Sequence, residues 1–120
     1  MATRPLTLVE KIWHSHLVGS PEEDGTCLLY IDRHLIHEGS TPQAFEGLRQ
    51  AGLPVRRPDA TLGVVDHVVP TVDRASGVAE ESSRIMLESM VRNCREFGVE
   101  MFDMFDPRQG ICHVIGPEQG

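Results

Sequence analysis

Apolar positions along this chain fall into short continuous runs and longer stretches of helical spacing. Thr7-Leu8-Val9-Glu10 has the T-x-x-E spacing of a capping box, in which two side chains satisfy the free backbone donors of a helix start. Leu8, Val9, Ile12, Trp13 and Leu17 follow at helical spacing, and Gly19 and Pro21 mark the stop. Ser20 to Thr26 reads as an acidic surface loop. Cys27 to Ile31 is an unbroken apolar run, as in a strand buried on both faces. The polar, histidine-rich stretch from Asp32 to Ser40 reads as a connection. Thr41-Pro42 then supplies an N-cap with proline at the first helical position, and Ala44, Phe45, Leu48 and Ala51 carry a helix that Gly52 closes.

Leu62 to Val65 predicts a second buried strand, interrupted by Asp66-His67 and ended by Pro70. The longest helix is predicted from about Val78 to Phe97, with Met86, Met90, Cys94 and Phe97 on one stripe and Gly98 as its stop. Glu100 to Phe105 fits neither period well. Ile111 to Ile115 predicts a last strand before the turn Gly116-Pro117. Strands alternating with helices argue for an α/β fold, a mainly parallel sheet flanked by helices. Cys27–Ile31, Leu62–Val65 and Ile111–Ile115 are expected to be neighbouring strands in it. Residues 1–120 read as one domain portion. The chain stops at Gly120, just after a Gly-Pro turn where such a pattern normally supplies its next helix, so truncation is expected.

Composition narrows the function classes. The 11 Lys and Arg residues against 18 Asp and Glu give a net charge of −7. Phosphate backbones are bound by clustered cations, so nucleic acid is not an expected partner. No stretch approaches the ~18 uninterrupted apolar residues of a membrane span, and Met1 to Glu10 lacks the pattern of a signal peptide. Cys27, Cys94 and Cys112 are widely spaced, with no C-x-x-C, so neither a zinc knuckle nor a redox dithiol is written here. An odd count without disulfide spacing fits a reducing compartment, and a cytoplasmic location is expected.

Six histidines are the main candidates for chemistry. His14 and His16 lie on a short amphipathic helix, and His34 lies among loop residues; solvation explains all three. His67 follows Asp66 where an apolar strand gives way to a loop, the place where open α/β sheets bind ligands. An aspartate beside an imidazole fixes its tautomer and makes a competent proton donor. Adjacent residues of a regular strand point to opposite faces, so this pair converges only if the strand has already ended. A charged loop turn is the bland alternative. His113 sits in an apolar run and needs a partner, structural or catalytic. His37-Glu38 precedes the helix start at Thr41-Pro42, whose free N–H groups suit a carboxylate, although a solvated loop reads the same way.

Taken in order, Leu29 to Glu38, Ser40 to Phe45, Val65-Asp66-His67, Asn93 to Glu100 and Gly110 to Gly120 resemble the large subunits of bacterial 3-isopropylmalate dehydratases, within the aconitase family. The resemblance runs from about Leu6 to the end and covers the amino-terminal portion of such subunits. It implies a hydro-lyase that isomerises 2-isopropylmalate to 3-isopropylmalate in leucine biosynthesis. It also implies a [4Fe-4S] cluster in the full-length enzyme, and a separate small subunit as partner that supplies a serine base. By matching motif, His67 is the histidine that protonates the departing hydroxyl, and Asp66 its support. His113 is a second catalytic histidine, and His37 and Glu38 belong to the substrate pocket, where other members place glutamine and aspartate. None of the three cysteines sits in a cluster-binding motif, so this chain is expected to hold no cluster and to be inactive alone.

Two other readings compete. One is an independent, non-catalytic α/β domain that binds a small acid or a protein. The other is a metal-dependent hydrolase using Asp66, His67 and His113, residue types that suit a metal but whose spacing is not diagnostic.

Overall fold

The computed structural model describes residues 4–119. Its contacts divide the chain into two units, Met1–Asp32 and Arg33–Gly120. In the first, helix α1 (Leu8–His16) begins with the capping box: the Glu10 amide donates to Thr7 Oγ1 at 3.2 Å, and the Thr7 amide to Glu10 at 2.7 Å. The helix ends at His16, before Gly19, and no residue of α1 is buried. Near that end His16 Nδ1 meets the Ile12 carbonyl at 2.7 Å, and its Nε2 pairs with Asp32 at 2.9 Å.

The run from Cys27 to Ile31 is not a sheet strand. It makes one isolated antiparallel bridge, Leu29 to Leu17, and Leu28 and Ile31 are exposed. A five-residue apolar run carries too little periodicity to specify its partner, and here it pairs only with the segment after α1.

In the second unit three parallel strands, in the order β1-β2-β3, form the sheet: β1 (His34–His37), β2 (Thr61–Val64) and β3 (Glu100–Phe102). The fold is α/β, as the alternation of runs implied. The register sets His37 beside Val64 and Val64 beside Phe102. Helices α2 (Thr41–Ala51) and α3 (Glu81–Phe97) cover one face, with Ile36, Phe45, Val65, Leu87, Met90, Cys94 and Val99 as the core between. The other face holds Val64, Phe102, Cys112 and Ile115, the last two from helix α4 (Cys112–Gln119). Val64 and Val65 thus feed opposite layers, as successive strand positions do. No helix of the described residues is long and apolar enough to cross a membrane.

Two expectations are corrected here. The first strand is His34–His37, inside the stretch read as a polar connection; its flanking histidines hid Leu35-Ile36. The last apolar run, Ile111–Ile115, is helical and not a strand. Cys112 and Ile115, three apart, are buried while Ile111 and Val114 are exposed, which is the helical period. Gly116 is not a turn either. A side chain there would collide with Leu35, so glycine lets α4 pack against β1.

Gly63 serves the same purpose on the opposite face. A Cβ there would meet Met90 Cε at 2.9 Å and Cys94 Sγ at 3.0 Å, so α3 sits on β2 only because the side chain is missing. Met90 is fully buried and has little room to yield. Gly63→Ala should therefore destabilise by about 1–3 kcal/mol through overpacking, and Met90→Ala by about 2–5 kcal/mol through cavity formation. The double variant should cost less than the sum by at least ~0.5 kcal/mol, because each change relieves the other. Urea denaturation of the four proteins tests this, and strict additivity would contradict the packing.

Candidate functional site

The carboxyl ends of β1 and β2 lie side by side, and the residues just beyond them form the site. β1 continues into Glu38. β2 continues through Val65 into a bend at Asp66-His67-Val68. Glu38 is fully buried. Its Oε1 accepts from the His67 amide at 2.7 Å and the Val68 amide at 2.8 Å, and its Oε2 accepts from the Asp66 amide at 3.3 Å. Three successive N–H groups converging on one carboxylate require a concave backbone, which ends the strand.

That bend brings Asp66 and His67 together. His67 Nδ1 donates to Asp66 Oδ1. The other oxygen, Oδ2, accepts from the Cys112 amide at 2.7 Å, so the same carboxylate holds the imidazole and the amino end of α4. The Asp66 side chain is 7% exposed and that of His67 48%. His67 Nε2 has no hydrogen-bond partner among the described residues.

Burial pushes the Asp66 carboxyl up. The Cys112 amide, the His67 imidazole and the Cys112 thiol together outweigh that and hold it below the ordinary 3.8. The helix dipole adds to the attraction for a negative charge.

His37 closes one side of the site. Its ring stacks on that of His67 with centroids 4.0 Å apart and planes 13° from parallel. Its Nδ1 accepts from the Gly39 amide at 3.1 Å, which leaves Nε2 to carry the proton of the neutral ring. Thr41, first residue of α2, bonds back to the His37 carbonyl at 2.7 Å. The loop after β2 is braced elsewhere too. Gln109 Nε2 donates to the Val65 carbonyl at 2.6 Å, and Arg74 joins Gln109 Oε1 at 2.6 Å to the Pro70 carbonyl at 3.0 Å.

Of the residues singled out from sequence, His37, Glu38, Asp66 and His67 come together. His113 stands one residue beyond Cys112, exposed on the first turn of α4 instead of buried in a strand. The braces at Gln109 and Arg74 and the Cys112 amide carried no sequence signal, because their partners lie 35 to 46 positions away along the chain.

His37, Glu38 and His67 each offer a potential metal ligand within 4.8 Å of the others. The two rings lie in nearly parallel planes, so their in-plane lone pairs do not converge on one ion, and Glu38 points both oxygens at amides. The arrangement suits proton exchange through the His67 nitrogen that Asp66 does not hold.

Residues 10–120 match the model of the aconitase family (aconitate hydratase). The chain belongs to the aconitase family. No solved structure matches it. The family's enzymes are hydro-lyases, and they usually carry a [4Fe-4S] cluster. Two of the three cysteines of this chain, Cys94 and Cys112, do not fit such a group. Cys94 is buried under β2 beside Met90, and burial pushes its thiol up to about 11. Cys112 lies in the opposite core layer, where burial and then the Asp66 carboxylate push its thiol up. Cluster ligands must be thiolates that face one another, and these two are hindered in ionisation and separated by the sheet.

Two outcomes follow. Anaerobic reconstitution of the 120-residue chain should yield no stoichiometric cluster by iron, sulfide and visible absorption; a full cluster would overturn the reading of its thiols. Asp66 should titrate with a midpoint below 3.8 in the folded chain. Because its folded-state value is the lower one, the unfolded state binds the proton first. The stabilisation is then complete above the unfolded value and is lost as pH falls through the folded one. Carboxyl 13C titration gives the midpoint, and Asp66→Asn should flatten the acid limb of the stability curve.

Proposed function

We propose that this chain is the amino-terminal part of a 3-isopropylmalate dehydratase large subunit and supplies the proton-donating half of its site. The order and length of the segments shared with those subunits support the choice of substrate. The observation that carries the chemistry is the Asp66–His67 pair. One ring nitrogen is tied to a nearly buried carboxylate, and the other belongs to a half-exposed ring and has no hydrogen-bond partner among the described residues.

Dehydration breaks a C–O bond, and the departing oxygen must receive a proton as it leaves. With Nδ1–H held by Asp66, the His67 proton available to substrate is the one on Nε2. It passes from the doubly protonated ring to the hydroxyl oxygen, which leaves as water, and the imidazolium becomes a neutral imidazole with Nε2 as an acceptor. Rehydration runs the transfer backwards, the ring drawing a proton from the incoming water. The hydrogen on the neighbouring carbon is taken by a base outside this chain, a serine of the small subunit in this reading. His37 forms the wall on which the His67 ring rests, and its half-exposed edge is the part of the dipeptide able to meet a substrate carboxylate. His113, exposed at the start of α4, is the further catalytic histidine that the resemblance implies. The [4Fe-4S] cluster is held by residues other than those of this chain, and the enzyme works in the cytoplasm on a small hydroxy acid.

Steady-state kinetics across pH on the two-subunit enzyme, with its cluster intact, tests the assignment. His67→Ala should lower kcat by on the order of a hundredfold or more with a much smaller change in KM. Asp66→Asn leaves the ring in place but offers one acceptor oxygen to two donors, the Cys112 amide and His67 Nδ1–H, so the tautomer is no longer fixed and kcat should also fall by on the order of a hundredfold or more. Near wild-type turnover in His67→Ala would move the proton to another donor, with His113 the first to examine.

A further inference from the structure

Glu38 is a fully buried carboxylate at the site, and the chemistry above leaves it without a task. Burying a carboxylate is unfavourable unless strong donors replace its water. Among the described residues no cation pairs with Glu38; its donors are the backbone amides of Asp66, His67 and Val68. Those amides belong to the residues that carry the proton donor.

We propose that Glu38 is a positioning residue for His67, acting through the backbone and not through contact with substrate. The inference rests on the reading of His67 as the donor, and gives Glu38 a different role from the substrate contact that resemblance implies.

The geometry supports it in three ways. An extended strand would send the Asp66 and His67 side chains to opposite faces. Converging the amides of residues 66–68 on Glu38 replaces extended backbone by a bend, and only then does His67 Nδ1 reach Asp66. Glu38 also follows His37 directly, so one dipeptide grips the donor twice, its backbone through the carboxylate and its ring through the 4.0 Å stack. Finally, the bonds are graded. The two short ones, to the His67 and Val68 amides at 2.7 and 2.8 Å, go to Oε1, and Oε2 takes only the longer one from Asp66 at 3.3 Å.

That grading orders the variants. In Glu38→Gln the amide oxygen can keep both Oε1 bonds, and its NH2 faces only the Asp66 amide. Glu38→Leu keeps much of the volume but leaves all three N–H groups without an acceptor.

The test is made on the cluster-loaded two-subunit enzyme for kinetics, and on the 15N-labelled chain of this sequence for the His67 Nδ1–H resonance. Glu38→Leu should lower kcat by about a hundredfold, as misplacement by about 1 Å does, with KM changed far less and the hydrogen-bonded Nδ1–H resonance lost. Glu38→Gln should recover much of what Glu38→Leu loses, leaving a several-fold fall in kcat at constant KM and a weakened Nδ1–H resonance. In both, the amide resonances of Gly63 and Cys94 should stay in place, which separates a local effect from a folding defect.

An unchanged Nδ1–H resonance with unchanged kcat in Glu38→Leu would overturn the proposal. So would a change confined to KM, which marks contact with substrate. Should Glu38→Leu fail to fold, Glu38→Gln decides. A several-fold fall in kcat at constant KM, with a weakened resonance, supports positioning, and wild-type values in both refute it. His67→Ala measured alongside keeps the two readings distinct. Full activity there removes His67 as the donor, whereas the imidazole resonance reports on the Glu38 contact whatever the donor is.

Discussion

The register of β1 against β2, which sets His37 beside Val64, is the constraint on which the site depends. Parallel pairing makes both strands run out at the same end of the sheet, so the residues that follow them must share one small space. Shifting the pairing by a residue would turn Ile36 away from the α2–α3 layer and Val64 away from the α4 layer, exposing apolar side chains on both faces. The hydrophobic layers therefore fix the register, and the register fixes which polar groups meet beyond it. Glu38 lies under the amides of residues 66–68, and the His37 ring lies on that of His67, because the core allows only one alignment.

A loop that leaves a buried strand carries backbone groups that need partners away from water. Between Val65 and Pro70 those groups are met by side chains from other parts of the unit. Glu38 accepts three N–H groups, Gln109 donates to the carbonyl of residue 65, and Arg74 donates to that of residue 70. No buried side-chain nitrogen or oxygen of the described residues lacks a hydrogen bond. Asp66 adds the link to the far face of the sheet. Its second oxygen receives the first amide of α4, so the helix that covers Val64 and Phe102 is anchored on the residue that orients the imidazole. One carboxylate thus ties the amino end of α4 to the His67 ring.

Helix α2 and the body of α3 were legible in the sequence from helical spacing closed by Gly52 and Gly98, and strand β2 from a short apolar run within a residue of its bounds. So was the position of Asp66-His67 at the end of a strand. Where local pattern and tertiary demand disagreed, the pattern misled. Ile111-Cys112-His113-Val114-Ile115 is rich in β-branched residues and reads as a strand. The Asp66 carboxylate at its amino end and the buried pair Cys112 and Ile115 make it helical. Cys27 to Ile31 reads as a core strand yet belongs to the other unit, where it has a single bridge. Conversely, β1 is short and bounded by histidines, and what makes it a strand is its pairing with β2, which no local window contains. The bonds of Glu38 were hidden for the same reason. The resemblance assigns His37-Glu38 to a substrate pocket, and only the fold shows that three amides nearly 30 positions away claim the Glu38 carboxylate.

The cysteines show how such a site divides its tasks. A small, weakly polar side chain suits a tight gap, and a buried thiol behaves as a hydrophobe. Cys94 fills the space under Gly63 beside Met90, and Cys112 fills the layer beneath Val64. Burial makes each a poorer thiolate, and thiolate character is what nucleophilic and metal-binding cysteines require. Sulfur is thus core material in this part of the molecule. What the unit offers a reaction is an imidazole at a fixed tautomer, a second ring stacked against it, and a rigid floor for both. Their positions are set by the sheet together with the side chains that brace the loop after β2.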